Sequence, residues 1–137
     1  MISLEIARLP ITNNKRHRKH WAELQRDFRG TKKKPGGWVS EVFSALCISE
    51  GPILPPAASG NRRVRIILHV KRAQDHDNAM ASCKPVLDAL TENRLIVDDK
   101  PECIGKPVVE QVISRRSKTV IEIYTEEDLS AGLKPEG

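Results

Sequence analysis

Cysteine is scarce in this 137-residue chain, with Cys47, Cys83 and Cys103 the only three. Scattered thiols in that number do not make a disulfide framework, and none stands in a C-x-x-C pair or beside a histidine at zinc-ligand spacing. A reduced, cytoplasmic setting is therefore expected. Long apolar runs are missing too. No stretch approaches the roughly eighteen residues of a membrane span, and the N-terminus lacks a signal-peptide pattern, so no membrane partner is expected. The chain also has no P-loop, no G-x-S-x-G, no zinc signature and no internal repeat. What remains is 39% hydrophobic and 30% charged, in a length that fits one domain with a buried core.

Charge is distributed unevenly. Residues 1–74 carry 15 Lys/Arg and 5 Asp/Glu (net +10), residues 75–137 carry 8 and 13 (net −5), and the halves sum to +5. A basic half leading into acids suits a protein that holds a polyanion beside a cation site. Charge asymmetry alone fits chance variation along a soluble chain equally well.

Alternation of Ile2, Leu4 and Ile6 predicts a first strand, stopped at Pro10. Asn13 and Asn14 suit a turn, and Trp21, Leu24 and Phe28 recur at helical spacing over 20–29. "GTKKKPGG" reads as a basic loop. Trp38, Val42, Ala45 and Leu46 form one stripe, which predicts an amphipathic helix over 38–48. "NRRVRIILHVKR" alternates strictly and predicts a strand; "VVEQVISRR", the turn "SK" and "TVIEIY" predict a hairpin. The polar segment 126–137 reads as a flexible tail behind a single domain over 1–125. Together these elements predict an α+β domain, a mixed β-sheet with two main helices packed on it.

The chemistry concentrates in "QDHDNAMASCKPVLDALTENRLIVDDK", residues 74–100. Asp75 and Asp77 follow the alternating strand, and in extended chain residues i and i+2 point to the same side. Asp77 also suits the N-cap of the next helix. "RLIVDD" reads as a short strand that ends in Asp98 and Asp99, only one of which can face the site fully. Carboxylates gathered in this way repel one another unless a cation sits among them, and Mg²⁺ is the natural hard cation. On a helical wheel Asp77, Lys84 and Asp88 fall within about 40° of one another. Lys84 either neutralises charge on a phosphate or simply pairs with Asp88 at i, i+4. Pro85 either kinks this helix or lies in the first turn of a helix that begins near Ser82. An EF-hand loop from Asp75 would need glycine where Met80 stands, and a haloacid-dehalogenase D-x-D needs a larger sheet than this chain can supply. Trp21 reads as a core residue in preference to one that stacks on an unpaired base.

In "DHDN", "CKPVLDAL" and "LIVDD", in that order, the chain resembles the RusA-type Holliday junction resolvases. "LPITNNKR" resembles the family's proline-plus-asparagine turn and the basic residues after it. The family pattern is D-x-D-N, then a lysine upstream of D-[AG]-L, then an apolar segment ending in D-D. The resemblance implies a RusA-like fold and a metal-dependent endodeoxyribonuclease that resolves four-way junctions by paired symmetric nicks, leaving 5′-phosphate and 3′-hydroxyl ends. It implies that Asp75, Asp77 and Asp99 bind Mg²⁺, with Mn²⁺ a possible substitute, and activate water while Lys84 assists at the phosphate. Asn78, Asp88 and Asp98 take supporting roles. A homodimer is implied as well, one site per nicked strand. Asn14, Lys15, Arg16, Arg18, Lys19, Lys32, Lys33, Lys34 and Arg72 are the expected DNA contacts, adding salt-sensitive affinity. Lys84 lies three residues further from Asn78 than in the shorter form of the family, and Asn93 and Arg94 replace the glycine that usually ends the helix, with asparagine expected to tolerate the left-handed turn. A branched-DNA-binding protein without nuclease activity, and a nuclease for flaps or forks, are the alternatives.

Overall fold

The computed structural model describes residues 1–12, 21–30 and 36–135. Strand β2 (Arg63–Val70) is the middle of the architecture. Its even-numbered residues Val64, Ile66, Leu68 and Val70 are buried, while its odd-numbered residues are half-exposed. That alternation places one face of the strand against helices. β1 (Ile2–Ile6) and β4 (Lys118–Tyr124) alternate in the same way, and β3 (Val108–Ile113) completes a four-stranded sheet of order β1-β4-β2-β3. β4 runs antiparallel to both β1 and β2, whereas β3 runs parallel to β2. The protein is thus an α+β domain with a mixed sheet.

β3 and β4 are not the hairpin that their short connection predicts. The chain leaves β3, crosses the end of β2 with the Ser114 N–H donating to the Val70 carbonyl (2.8 Å), and enters β4 on the far side of β2. Two alternating segments joined by a turn carry no local mark of a third strand lying between them, which is why the sequence pattern misleads here.

Helix α1 (Trp21–Arg29) leads into α2 (Gly37–Glu50), whose buried residues are Trp38, Val42, Ala45 and Leu46, the expected stripe. Gly37 has φ +81, and a Cβ there would lie 2.7 Å from the Gly30 nitrogen and the Phe28 carbonyl oxygen, so these two backbones meet only through glycine. Arg8 pins the same corner: its guanidinium contacts Asp27 (2.7 Å) and Glu41 (2.6 Å) and sits 4.0 Å from the Trp38 ring centre.

Between β2 and β3 come α3 (His76–Ser82), α4 (Lys84–Glu92) and the single turn α5 (Pro101–Ile104). The long helix seen on the wheel is therefore two. It breaks at Cys83, and Pro85 sits in the first turn of α4, where its missing N–H costs nothing. Val86, Ala89 and Leu90 of α4 and Ala79, Ser82 and Cys83 around the break are buried with the sheet residues in one core. Burial pushes the Cys83 thiol up to about 12, so it is a packing residue rather than a nucleophile.

Two further expectations are corrected. Residues 94–99 form turns, not a strand: the carbonyls of Arg94 and Leu95 accept from the Ala58 N–H (2.9 Å) and the Arg62 guanidinium (2.9 Å) instead of a neighbouring strand. The segment after 125, expected to be a flexible tail, begins with helix α6 (Glu126–Ser130). Thr125 and Asp128 close a capping box there, and Glu126 pairs with the buried Arg62 at 2.9 Å.

Candidate functional site

β2 ends at Val70, and after five residues the chain enters α3 at His76. Asp75 is the residue before that helix; its carbonyl accepts the Ala79 N–H (2.9 Å), and its side chain makes no cap bond. Asp77 lies inside the first turn and is not the N-cap. Because the helix starts at His76, Asp75 and Asp77 do not share one face of an extended strand, so the spacing argument for their convergence does not hold. Both are exposed at the positive end of α3, a favourable place for carboxylates, and Asn78 beside them is half-buried.

Lys84 opens α4. Its ammonium donates to Asp99, fifteen residues on, and lies 3.0 Å from Asp88 one turn along the same helix. The hydrogen bond to Asp99 is the main reason the Lys84 pKa is raised, and the bond from Lys84 is the main reason the Asp99 carboxyl is held below its ordinary value. Asp98 steadies this arrangement: its Oδ1 accepts the Asp99 N–H (2.7 Å), and its other oxygen lies 3.8 Å from Lys100. The segment that carries both acids is anchored by Leu95 and Ile96, which are buried. Lys84 thus satisfies both readings of it, the local pair with Asp88 and a second contact with the distant D-D segment.

The break at Cys83 takes Asp77 off the helix that carries Lys84 and Asp88, so the face proposed for these three is not continuous. As donors, Asp75, Asp77 and Asp99 suit a hard cation such as Mg²⁺. As placed they are not gathered: among the described residues no three His, Cys, Asp or Glu side chains form a group ready to hold a metal ion. Asp99 is committed to Lys84.

Of the expected DNA contacts, Arg72 is exposed at the end of β2, whereas Asn14, Lys15, Arg16, Arg18, Lys19, Lys32, Lys33 and Lys34 lie outside the described residues. Sequence reasoning missed Lys71, Arg115 and Arg116, all exposed and without a carboxylate partner among the described residues. The β3–β4 crossing brings the last two to the end of β2. It missed Arg62 as well, although residue parity carried a signal: Arg62 falls in step with Val64, Ile66 and Leu68 on the buried side. Trp21, expected in the core, is 72% exposed and edges a cleft of about 300 Å³ shared with Phe28, Pro85 and Asp88.

No protein-family model matches the chain, and no curated protein matches its sequence. No helix among the described residues is long and apolar enough to cross a membrane.

Proposed function

We propose that this protein is a divalent-metal-dependent, structure-selective DNA endonuclease of the RusA type, which resolves four-way junctions by paired symmetric nicks. The observation that carries this reading is the pairing of Lys84 with Asp99. In the sequence pattern the lysine is the displaced piece, and it would have no reason to meet the D-D segment if the resemblance were an accident of composition. Instead the extra residues of "NAMAS" are taken up by a separate short helix, and Lys84 reaches Asp99.

In this reading Asp75, Asp77 and Asp99 would hold Mg²⁺, for which Mn²⁺ can substitute, once Asp99 exchanges Lys84 for the ion. When bound, the ion supplies Lewis acidity toward a phosphate and a more acidic water. Lys84, whose pKa is raised chiefly by its hydrogen bond to Asp99, would offer its ammonium to a phosphate in place of that carboxylate once Asp99 is engaged by the ion. Asp88 holds the lysine in position, Asp98 orients the Asp99 backbone, and Asn78 supports the start of α3. Arg72 and the basic residues of the N-terminal half bind phosphates without reading bases. A homodimer gives one site per nicked strand. The free cysteines fit the cytoplasmic setting that belongs to the same proposal.

Incubation of the protein with a labelled synthetic four-way junction and Mg²⁺ tests the reading. Paired symmetric nicks ending in 5′-phosphate and 3′-hydroxyl are expected, with at least a hundredfold loss in Asp77→Asn. Absence of nicks, or undiminished cutting by Asp77→Asn, defeats it. A second reading is favoured by the failure of the three carboxylates to gather: a branched-DNA-binding protein that does not cut. It would bind the junction yet show no Mg²⁺- or Mn²⁺-induced rise in melting temperature. Forks and flaps as competing substrates separate junction resolution from a broader nuclease activity.

A further inference from the structure

At the end of β2, on its helix-covered face, lies a cavity of about 240 Å³ that takes no part in the lysine–carboxylate cluster. Its walls are apolar, with Pro10, Leu68 and Val70 among them, and its rim carries Lys71, Arg72 and Gln74. Gln111 grips the backbone of Gln74 at both ends, accepting its N–H (2.9 Å) and donating to its carbonyl (2.8 Å). This fixes Gln74 in place and leaves its side-chain amide with no partner among the described residues. Ser117 closes one side of the cavity, on the same crossing loop as Arg115 and Arg116. Four cations unpaired with any carboxylate among the described residues, Lys71, Arg72, Arg115 and Arg116, therefore belong to the two segments that meet at the end of β2, where Ser114 bonds Val70.

We propose that this cavity receives one unpaired nucleobase of a branched DNA, with the phosphates on either side of it held by the cationic rim. The size excludes a base pair and falls below the ~300–1,000 Å³ of sites for larger ligands. Apolar walls accept the faces of a heterocycle, as pockets that hold extruded bases do. A free carboxamide offers both a donor and an acceptor to its edge. The charge of the rim selects a nucleic acid over a neutral ligand of the same size. Asp75 follows Gln74 directly, so a base held here presents its own strand to the beginning of the acid cluster. The inference rests on the reading that the protein binds branched DNA, and it adds the point at which the branch is sensed.

The test is fluorescence anisotropy with labelled four-way junctions in EDTA, each having one branch-point nucleotide replaced by an abasic residue. For the unaltered protein, one abasic position should weaken binding about tenfold, the scale of losing one stacked base. Ser117→Trp, which fills the cavity from an exposed loop, should bind all the junctions with similar, weaker affinity. Gln74→Ala, which leaves the backbone contacts to Gln111 intact, should lose most of the discrimination and keep its melting temperature. If the intact junction binds and every abasic junction binds equally well, the pocket assignment falls while DNA binding stands. If no junction binds, both fall. Unchanged discrimination in Ser117→Trp together with a change from dimer to monomer in sedimentation overturns it in favour of a contact between copies of the chain.

Discussion

Lys84 occupies the first position of α4, the positive end of the helix dipole, where a cation is worse placed than a carboxylate. Asp99 and Asp88 offset that placement, and the shifts of the pair run in the matching directions, lysine up and Asp99 down. Replacing Lys84 with Met should therefore raise the Asp99 carboxyl toward its ordinary 3.8. Carbon-detected NMR titration reads this directly, and an unmoved Asp99 would show that the pair does not hold it. The two tryptophans form a second contrast of environment. Trp38 is fully buried beneath Arg8 and its Nε1 has no hydrogen-bond partner among the described residues, whereas Trp21 is 72% exposed. Acrylamide should quench the protein's fluorescence in two populations, and Trp38→Phe should leave only the readily quenched one. The sequence signals for these two residues were alike, an aromatic on a helical stripe. What separates them is the partner for the stripe: α2 packs against the sheet, while α1 has no fully buried residue at all.

At the level of elements, the end of α4 is informative. Arg94, not Asn93, takes the left-handed conformation, with φ 59. Its N–H donates to the Thr91 carbonyl (3.0 Å) and the Leu95 N–H to the Leu90 carbonyl (3.0 Å), the pair of bonds of a Schellman cap. Asn93 instead donates its side-chain amide to Ala89 (2.8 Å) and Val39 (3.1 Å), tying α4 to α2. Glycine at 94 would relieve the left-handed strain, so Arg94→Gly should stabilise the protein by about 0.5–1 kcal/mol in urea denaturation, and Asn93→Gly should destabilise it. The residue chemistry of this turn was legible, since one of two adjacent residues had to replace the missing glycine; which one was not, because tertiary hydrogen bonds decided it. β2 and α2 were legible in full because each has one apolar face of a single period. "RLIVDD" was misread for the converse reason: Leu95 and Ile96 are consecutive and both buried, a pattern that fits an anchored turn as well as a strand. The pair of Lys84 with Asp88 was legible from their spacing, but the contact of Lys84 with Asp99 was not, nor was the geometry of Asp75 and Asp77, which the start of α3 decides.

On the scale of the whole molecule, Arg62 joins parts that lie far apart in the chain. Its buried guanidinium meets the Leu95 carbonyl, the Pro56 carbonyl (3.3 Å) and Glu126, so the acid-bearing segment and α6 share one anchor. Arg62 is the main reason the Glu126 carboxyl is held down at about 2, against an ordinary 4.5. A carboxyl depressed by folding adds stability that is present above its unfolded pKa and lost as the pH falls through the folded one. Stability should thus decline between pH 4.5 and about 2. Glu126→Gln should flatten that part of the profile and lose on the order of 1 kcal/mol at neutral pH, both measurable by denaturant titration across the range. The strand order has a consequence for biosynthesis. β4 lies between β1 and β2, yet the ribosome makes it after both. Until β4 has emerged, the first strand has no strand partner among the described residues and the central one lacks its antiparallel partner, so two sheet edges stand open to other chains. A chain that ends before β4 is therefore expected to leave its sheet unfinished and prone to association with other chains.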